Sequence, residues 1–288
     1  VLFAIYIIYI KILKAHMNKI GVGIVTCNRP TFFLKCLMSI PDSILDIVVV
    51  NDGADFADIK KLHEKKGFAY FHNPKNIGVG RSKNKLLRYL IGTECDHIFI
   101  IEDDIIVKDK NVFNEYVRAR NKTGIQHFNF GYHGPANKDG VSGGPPKPRF
   151  VVDYGDVKVA INRHSVGAFC YYTKEVLEKV GLIDEDYTNA FEHVDHDYRI
   201  AKAGYCTPYW NFADIANSCD FLEEVECSEN SSSIRPREDW QKNIQEGAQL
   251  FNKKHGYLPA WQNAVPDSSQ AEVKNILKAI HKKHAIRT

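Results

Sequence analysis

Ile98-Phe99-Ile100-Ile101-Glu102-Asp103-Asp104-Ile105-Ile106-Val107 decides how this chain is read. Four apolar residues in a row, mostly β-branched, suit a strand covered on both faces, as the strands of parallel sheets are. Ligands of open α/β sheets bind beyond the carboxyl ends of such strands. The three acids Glu102, Asp103 and Asp104 stand at that end. Adjacent carboxylates repel one another unless a cation is shared, and oxygen donors of this kind suit Mn²⁺ or Mg²⁺. Apolar Ile105–Val107 follows at once and makes the turn partly buried, which argues against a merely solvated acidic loop.

Working back toward the amino terminus, short apolar runs alternate with helical patterns. Ile20–Thr26 reads as a buried strand, and Pro30 suits the first position of the helix after it, where no N–H needs a partner. Ile47–Val50 is a second strand ending in the turn signal Asn51-Asp52-Gly53. Phe56, Ile59 and Leu62 fit a helix, Phe68–Phe71 a third strand, and Arg81 to Leu90 a basic helix. The alternation predicts a doubly wound, mostly parallel Rossmann-like sheet with right-handed crossovers over residues 17–130.

Downstream, residues 131–149 are rich in Gly and Pro and read as a long mobile loop of the kind that is usually functional. Residues 150–222 form a second half, with Phe150–Asp153, Val157–Ile161 and Ala168–Tyr172 expected as strands of a smaller mixed sheet. Lys174–Val180 and a stretch from about His193 to Ala203 read as helices. An acidic, serine-rich tract at Glu223–Ser233 opens a C-terminal extension, 223–288. That extension ends in a basic amphipathic helix, Ala271–Arg287, with Val273, Ile276, Leu277 and Ile280 on one face.

Composition narrows the class. The chain has 288 residues, 44% hydrophobic and 25% charged, with a net charge of +3, which is too small to imply nucleic-acid binding. Its 7 cysteines include no C-x-x-C pair and read as reduced thiols, which places the protein in the cytoplasm. Residues 1–16 open on an apolar run too short to span a bilayer, which takes about 20 residues. They read as an upstream leader or a cloning-derived segment. Peripheral association with the inner face of a membrane is the sharper alternative for this run and for the basic C-terminal helix.

Other polar residues fall on the edge marked by Glu102–Asp104. Thr26, Asn28 and Arg29 end the first strand, and Asp52 ends the second, where a carboxylate accepts hydrogen bonds from a base or ribose. Asn76-Ile77-Gly78-Val79-Gly80-Arg81 leads into the basic helix, and a helix N-terminus with an arginine suits an anion. No G-x-x-x-x-G-K-[ST] occurs, which argues against a P-loop NTPase. Phe191 to Arg199 is a second acidic cluster at a helix start, where carboxylates stay ionised.

Taken in order, these segments resemble glycosyltransferase family 2, the inverting GT-A enzymes. Thr26-Cys27-Asn28-Arg29 is similar to the family's T-x-N-R and Asn51-Asp52-Gly53 to its N/D-D-G/S. Asn76, Gly78, Arg81 and Asn84 resemble N-x-G-x-x-x-x-R-N, with Arg81 off the usual spacing. Ile101–Ile105 resembles L-D-x-D-h with Glu for the first Asp. Val166-Gly167-Ala168 with Val180–Glu185, and Glu192 through Gly204-Tyr205, are similar to the acceptor-side motifs, with His193 for the Asp of an E-D pair.

The resemblance implies a GT-A fold and a donor site of Thr26, Asn28, Arg29, Asp52, Asn76, Arg81, Asn84 and Asp103. It implies a metal, Mn²⁺ or Mg²⁺, on Asp104 and Glu102. The catalytic base is sought among Asp195, Glu192 and His193, the carboxylates ranking first. The expected reaction moves a sugar from a nucleotide diphosphate sugar, UDP by family habit, to a glycan or lipid-linked saccharide, as in surface polysaccharide synthesis. A sugar-phosphate nucleotidyltransferase would need a G-x-G-T-R loop where Thr26–Pro30 stands. A non-catalytic sugar-nucleotide binding module has only the altered Glu192-His193 pair in its favour.

Overall fold

The structure is a computed structural model that describes residues 19–56, 59–139, 144–225, 238–259 and 264–286. The leader at 1–16 and most of the acidic, serine-rich tract lie outside these residues. Strands β1 (Ile20–Thr26), β2 (Asp46–Asn51), β3 (Ala69–His72) and β4 (His97–Glu102) run parallel, as the alternation predicts. Helices α1 (Pro30–Ser39), α2 (Ile59–Lys66) and α3 (Val79–Gly92) connect them. Thr26 pairs with Asn51 and Val25 with Glu102, so three strands end at one level.

Close packing of α3 on β1 depends on two strand glycines. A Cβ on Gly21 would come within 2.6 Å of Cys95 Sγ, and one on Gly23 within 2.9 Å of Leu86 Cβ. Those glycines serve packing and not phosphate binding.

The second half departs from expectation. Strand β9 (Phe169–Thr173) is not part of a smaller sheet. It lies in the main sheet, antiparallel to β4 on one side and to β6 (His127–Asn129) on the other. The order is therefore β3-β2-β1-β4-β9-β6. The smaller sheet is wholly antiparallel: β7 (Phe150–Asp153), β8 (Lys158–Asn162) and β10 (Phe212–Ile215), a strand with no clear signal in the sequence. A further pair, β5 (Ile105–Val107) with β11 (Leu222–Glu224), follows the acidic turn directly.

Aromatic rings fill the space between the main sheet and α4 (Val112–Thr123): Phe99, Phe113, Tyr116, Phe169 and Tyr171 meet at centroid distances of 4.9 to 6.1 Å around Phe99. Helices α5 (Lys174–Val180) and α6 (Glu192–Lys202) follow β9, and the short α7 (Ser218–Phe221) precedes β11. Helices α8 (Trp240–His255) and α9 (Gln270–His284) close the chain. Helix α9 starts in a capping box on Ser269 and Glu272, and it buries Val273, Leu277 and Ile280 against α4 and its surroundings. Among the described residues no helix is long and apolar enough to cross a membrane.

Candidate functional site

Strand β4 delivers the acidic turn to the sheet edge, and each acid there has a different partner. Asp103 is fully buried and accepts hydrogen bonds from Thr26 Oγ1 at 2.6 Å and from Arg29. Burial pushes its carboxyl up to about 7, against the pull of Arg29. Asp104 is 3% exposed and meets Arg29 Nη1 at 3.1 Å and His133 Nε2 at 3.4 Å. Burial would raise Asp104 too, but His133 and Arg29 outweigh it and hold the carboxyl at about 2. Arg29 thus forks across two buried carboxylates, with its guanidinium 5.3 Å from the Phe32 ring centroid.

Glu102 turns elsewhere. Its Oε1 pairs with Lys83 Nζ at 2.6 Å, and Lys83, only 2% exposed, also donates to the Gly167 carbonyl at 2.9 Å. Burial would lower the Lys83 ammonium, but Glu102 and Glu192 hold it well above its usual value. Lys83 is the residue that the motif spacing from Asn76 and Gly78 reaches just before Asn84. Arg81 is exposed on α3 and does not line the cleft. Asn84 is buried and clamps the acceptor-side half: its Nδ2 donates to the Ile183 carbonyl at 2.7 Å, and its Oδ1 accepts from the Ile183 N–H at 3.0 Å.

Asp52 holds a loop. Its two carboxylate oxygens accept from Ile77 N–H at 2.9 Å, Gly78 N–H at 3.0 Å and Asn73 Nδ2 at 2.8 Å. Asn76 returns the contact, donating to the Asp52 carbonyl at 3.1 Å. Asn28, at φ 56°, accepts from Ala54 N–H at 2.7 Å and ties the ends of β1 and β2 together. Gly53 must be glycine there, because a Cβ would lie 2.4 Å from Asn28 Oδ1. Thr26, Cys27, Arg29, Asp52, Asn76 and Asp103 line one small pocket, while Asn28 faces outward.

That pocket opens into a larger cleft of about 440 Å³, whose walls include Arg29, Glu102, Asp104, His133, Ser165, Gly167, Glu192 and His193. Its far wall begins at the loop Asn189–Phe191, where Asn189 and Phe191 both have left-handed backbones, φ 56° and 65°. Such a conformation costs a bulky residue about 1–3 kcal/mol and persists only where packing enforces it. Here Asn189 Oδ1 accepts from Val79 N–H at 3.2 Å, and a Cβ on Gly247 of α8 would come within 2.9 Å of Phe191. The loop is held between α3 and α8, and α6 starts immediately after it.

The start of α6 brings Glu192 and His193 into the cleft. Glu192 Oε1 and His193 Nδ1 lie 3.1 Å apart, and the ring packs on Gly167, where a Cβ would be 2.9 Å from His193 Cγ. Burial would raise Glu192 and lower His193; each outweighs that in the other, so the carboxyl sits at about 2 and the imidazole above its usual value. Asp195 is placed differently. It is fully buried, outside the cleft lining, and bonded to Arg199 Nε at 2.7 Å, His255 Nε2 at 2.7 Å and Tyr187 OH at 3.2 Å. It joins α6 to α8.

Among the described residues no three His, Cys, Asp or Glu side chains converge as a metal cage. The pair Asp104 and His133 still fits a hard divalent ion that draws its remaining ligands from phosphate oxygens and water, as Mg²⁺ commonly does. Glu102, bound to Lys83, is not part of that pair. His133, Lys83 and Ser165 were not singled out by motif reading. Only Lys83 carried a usable signal, its spacing from Asn76.

The model of the family described as glycosyl transferase family 2 matches residues 21–180. An uncharacterised glycosyltransferase of Acanthamoeba polyphaga mimivirus is 26% identical over 265 residues, covering 86% of this chain and 94% of the viral one. Among solved structures, GalNAc-T7 with UDP, GalNAc and Mn²⁺ gives a TM-score of 0.58 at 13% identity, over 94% of this chain. The chain spans only 55% of that protein. Residues 1–349 of S. aureus TarS with UDP give 0.54 at 15% identity, over 92% of this chain and 71% of that one. At such identities the likeness is one of GT-A fold.

Proposed function

The chain belongs to glycosyl transferase family 2, and from that membership we propose a metal-dependent, inverting transfer from a UDP-sugar to a hydroxyl of a glycan or lipid-linked acceptor. One observation carries the reading: Asp104 with Arg29 and His133, and Glu192 with His193, line the same cleft. The nucleoside is assigned to the side of the cleft next to Thr26, Asp52, Asn76 and Asp103, where Arg29 would meet the diphosphate. Asp104 and His133 would hold Mn²⁺ or Mg²⁺, which when bound offsets the charge of the departing diphosphate.

The proton goes to His193. With Nδ1–H committed to Glu192, Nε2 keeps its lone pair for the cleft. Nε2 takes the acceptor hydroxyl proton as the acceptor oxygen bonds to the anomeric carbon. The bond from that carbon to the diphosphate breaks on the opposite face, and the configuration inverts. Glu192 then stabilises the imidazolium. Asp195, with its oxygens engaged between α6 and α8, is left with a positioning part.

The test is a thermal shift. UDP with Mn²⁺ should raise the melting temperature of the wild type by several degrees, since ligand at 100 times its Kd adds about 2.7 kcal/mol. Asp104→Asn should lose the Mn²⁺-dependent part of that rise and retain its fold. An unchanged shift in this variant would count against the metal assignment.

A further inference from the structure

Beyond the residues it shares with the nucleoside pocket, the cleft has two unlike sets of lining residues. One is apolar: Phe191, Val194, Trp240 and Ile244 line it. Trp240 and Ile244 are four residues apart on α8, and Gly247 and Phe251 continue the same face at the following turns. Gly247 lets α8 press against Ala190 and Phe191, a Cβ there meeting the Ala190 carbonyl at 3.0 Å. The Trp240 ring is therefore brought to the cleft by a helix seated directly on the loop that leads into Glu192 and His193. Trp240 is half-buried and presents part of its surface to the cleft.

The other wall is polar. Ser165 lines it, and its hydroxyl donates to Asp197, a carboxylate only 1% exposed. Asp197 is fixed in turn by His127 Nε2 at 2.7 Å, and His127 Nδ1 by the Tyr171 carbonyl at 2.8 Å. Because the Ser165 proton is already committed, its oxygen meets a ligand as a hydrogen-bond acceptor. Gly167 and His193 stand beside it in the same lining.

From these walls we infer that the acceptor of the transfer is itself a pyranose, stacked on Trp240 and donating a hydroxyl hydrogen bond to Ser165. This rests on the transfer reaction proposed above. A pyranose has a C–H face and a hydroxyl rim, so it satisfies an aromatic wall and an acceptor oxygen together. An amphipathic indole is suited to such a face. A peptide serine or threonine presents no broad apolar face, and an alkyl chain has nothing for Ser165. Trp240 and Ile244 also lie beyond residues 21–180, the part of the chain that the family model matches. The stacking half of the acceptor preference is thus set by an element outside the matched residues, while Ser165 lies within them.

The test offers UDP-glucose or UDP-N-acetylglucosamine with Mn²⁺ to the full chain. Acceptors are the methyl pyranosides of glucose, galactose, mannose and N-acetylglucosamine, beside a pool of serine- and threonine-containing peptides. Transfer to a pyranoside is expected. Trp240→Ala should raise the acceptor KM about tenfold with a smaller change in kcat. Trp240→Phe should recover most of that loss, and Ser165→Ala should raise KM for some pyranosides more than for others. A UDP-dependent rise in melting temperature in each variant shows that fold and donor pocket persist. Wild-type acceptor KM in Trp240→Ala would overturn the inference, as would transfer to the peptides with none to any pyranoside. A wild type that neither binds UDP nor turns over a UDP-sugar overturns the underlying transfer reading, and this inference with it.

Discussion

His193 stands where the family motif has an aspartate, and under the proposed mechanism the base it supplies titrates differently. A carboxylate base is active well below neutrality, whereas an imidazole works only once it has lost its proton. Glu192 lifts the His193 pKa above its usual 6.5, so kcat/KM should rise with pH through a midpoint above that value. Glu192→Gln removes the main cause of the rise and should move the limb to lower pH. A limb that stays in place would mean that some other group titrates. His193→Ala should lower kcat by roughly 100- to 10,000-fold while UDP affinity persists. Lys83 raises a stability question at the same scale. Its ammonium is 2% exposed and its partner Glu102 about a quarter exposed, so Lys83→Met leaves a partly buried charge alone. Urea unfolding should show a loss near 3 kcal/mol, the low end for broken buried pairs.

Individual elements were legible wherever side-chain period and chain ends agreed. The parallel strands and α1, α3 and α5 announce themselves through continuous apolar runs, Pro30 and the Lys174–Val180 periodicity. Strand β9 has an equally clear apolar run, but nothing local says whether Phe169–Thr173 pairs with β4 or with β8; long-range pairing decides that. Helix α8 repeats Trp240, Ile244, Gly247 and Phe251 along one face, but a glycine within that period weakens it as a local signal. Contacts between elements also explain Gly23. A methyl there would sit 2.9 Å from Leu86 Cβ and 3.0 Å from Ile100 Cδ1. Gly23→Ala should therefore cost about 1–3 kcal/mol by overpacking, read as a lower urea midpoint at unchanged slope.

Across the whole molecule, buried titratable groups pull stability in opposite directions as pH falls. Burial first, and nearby Arg120 next, bring His97 down to about 4; burial and Arg199 bring His196 to about 3. The unfolded chain takes up those protons near 6.5, so the folded state loses stability as pH falls from there. Asp214 does the reverse. Burial raises it to about 6 from 3.8, so its contribution is complete below 3.8 and is lost as pH rises through 6. Asp214→Asn should leave the histidines less opposed, and its melting temperature should fall more steeply than the wild type's between pH 6 and pH 4. Equal slopes would contradict this. The site itself was half legible at this scale. The acidic strand end and the Glu192–His193 cluster stand out in the sequence, because each is a dense local motif. Asp104 meeting His133, or Asp195 turning toward His255 and out of the cleft, depends on how separate elements pack.

The antiparallel course of β9 divides the molecule's tolerance of change. Glu102 N–H donates to the Ala168 carbonyl at 2.7 Å, so the residues entering β9 stand beside the residues leaving β4. Had β9 run parallel, Thr173 would occupy that place, and Ser165–Ala168 would lie on the opposite rim, about 16 Å away for five residues of strand. Ser165, Val166, Gly167 and Ala168 thereby join Glu102 and Asp104 in the lining of the cleft. The other rim, where Lys19 reaches the Thr93 carbonyl and the Asp96 carboxylate accepts from Lys19 N–H, holds none of them. Substitutions there that keep the strands pinned leave the cleft lining untouched, whereas on the first rim a single exchanged side chain changes the lining itself.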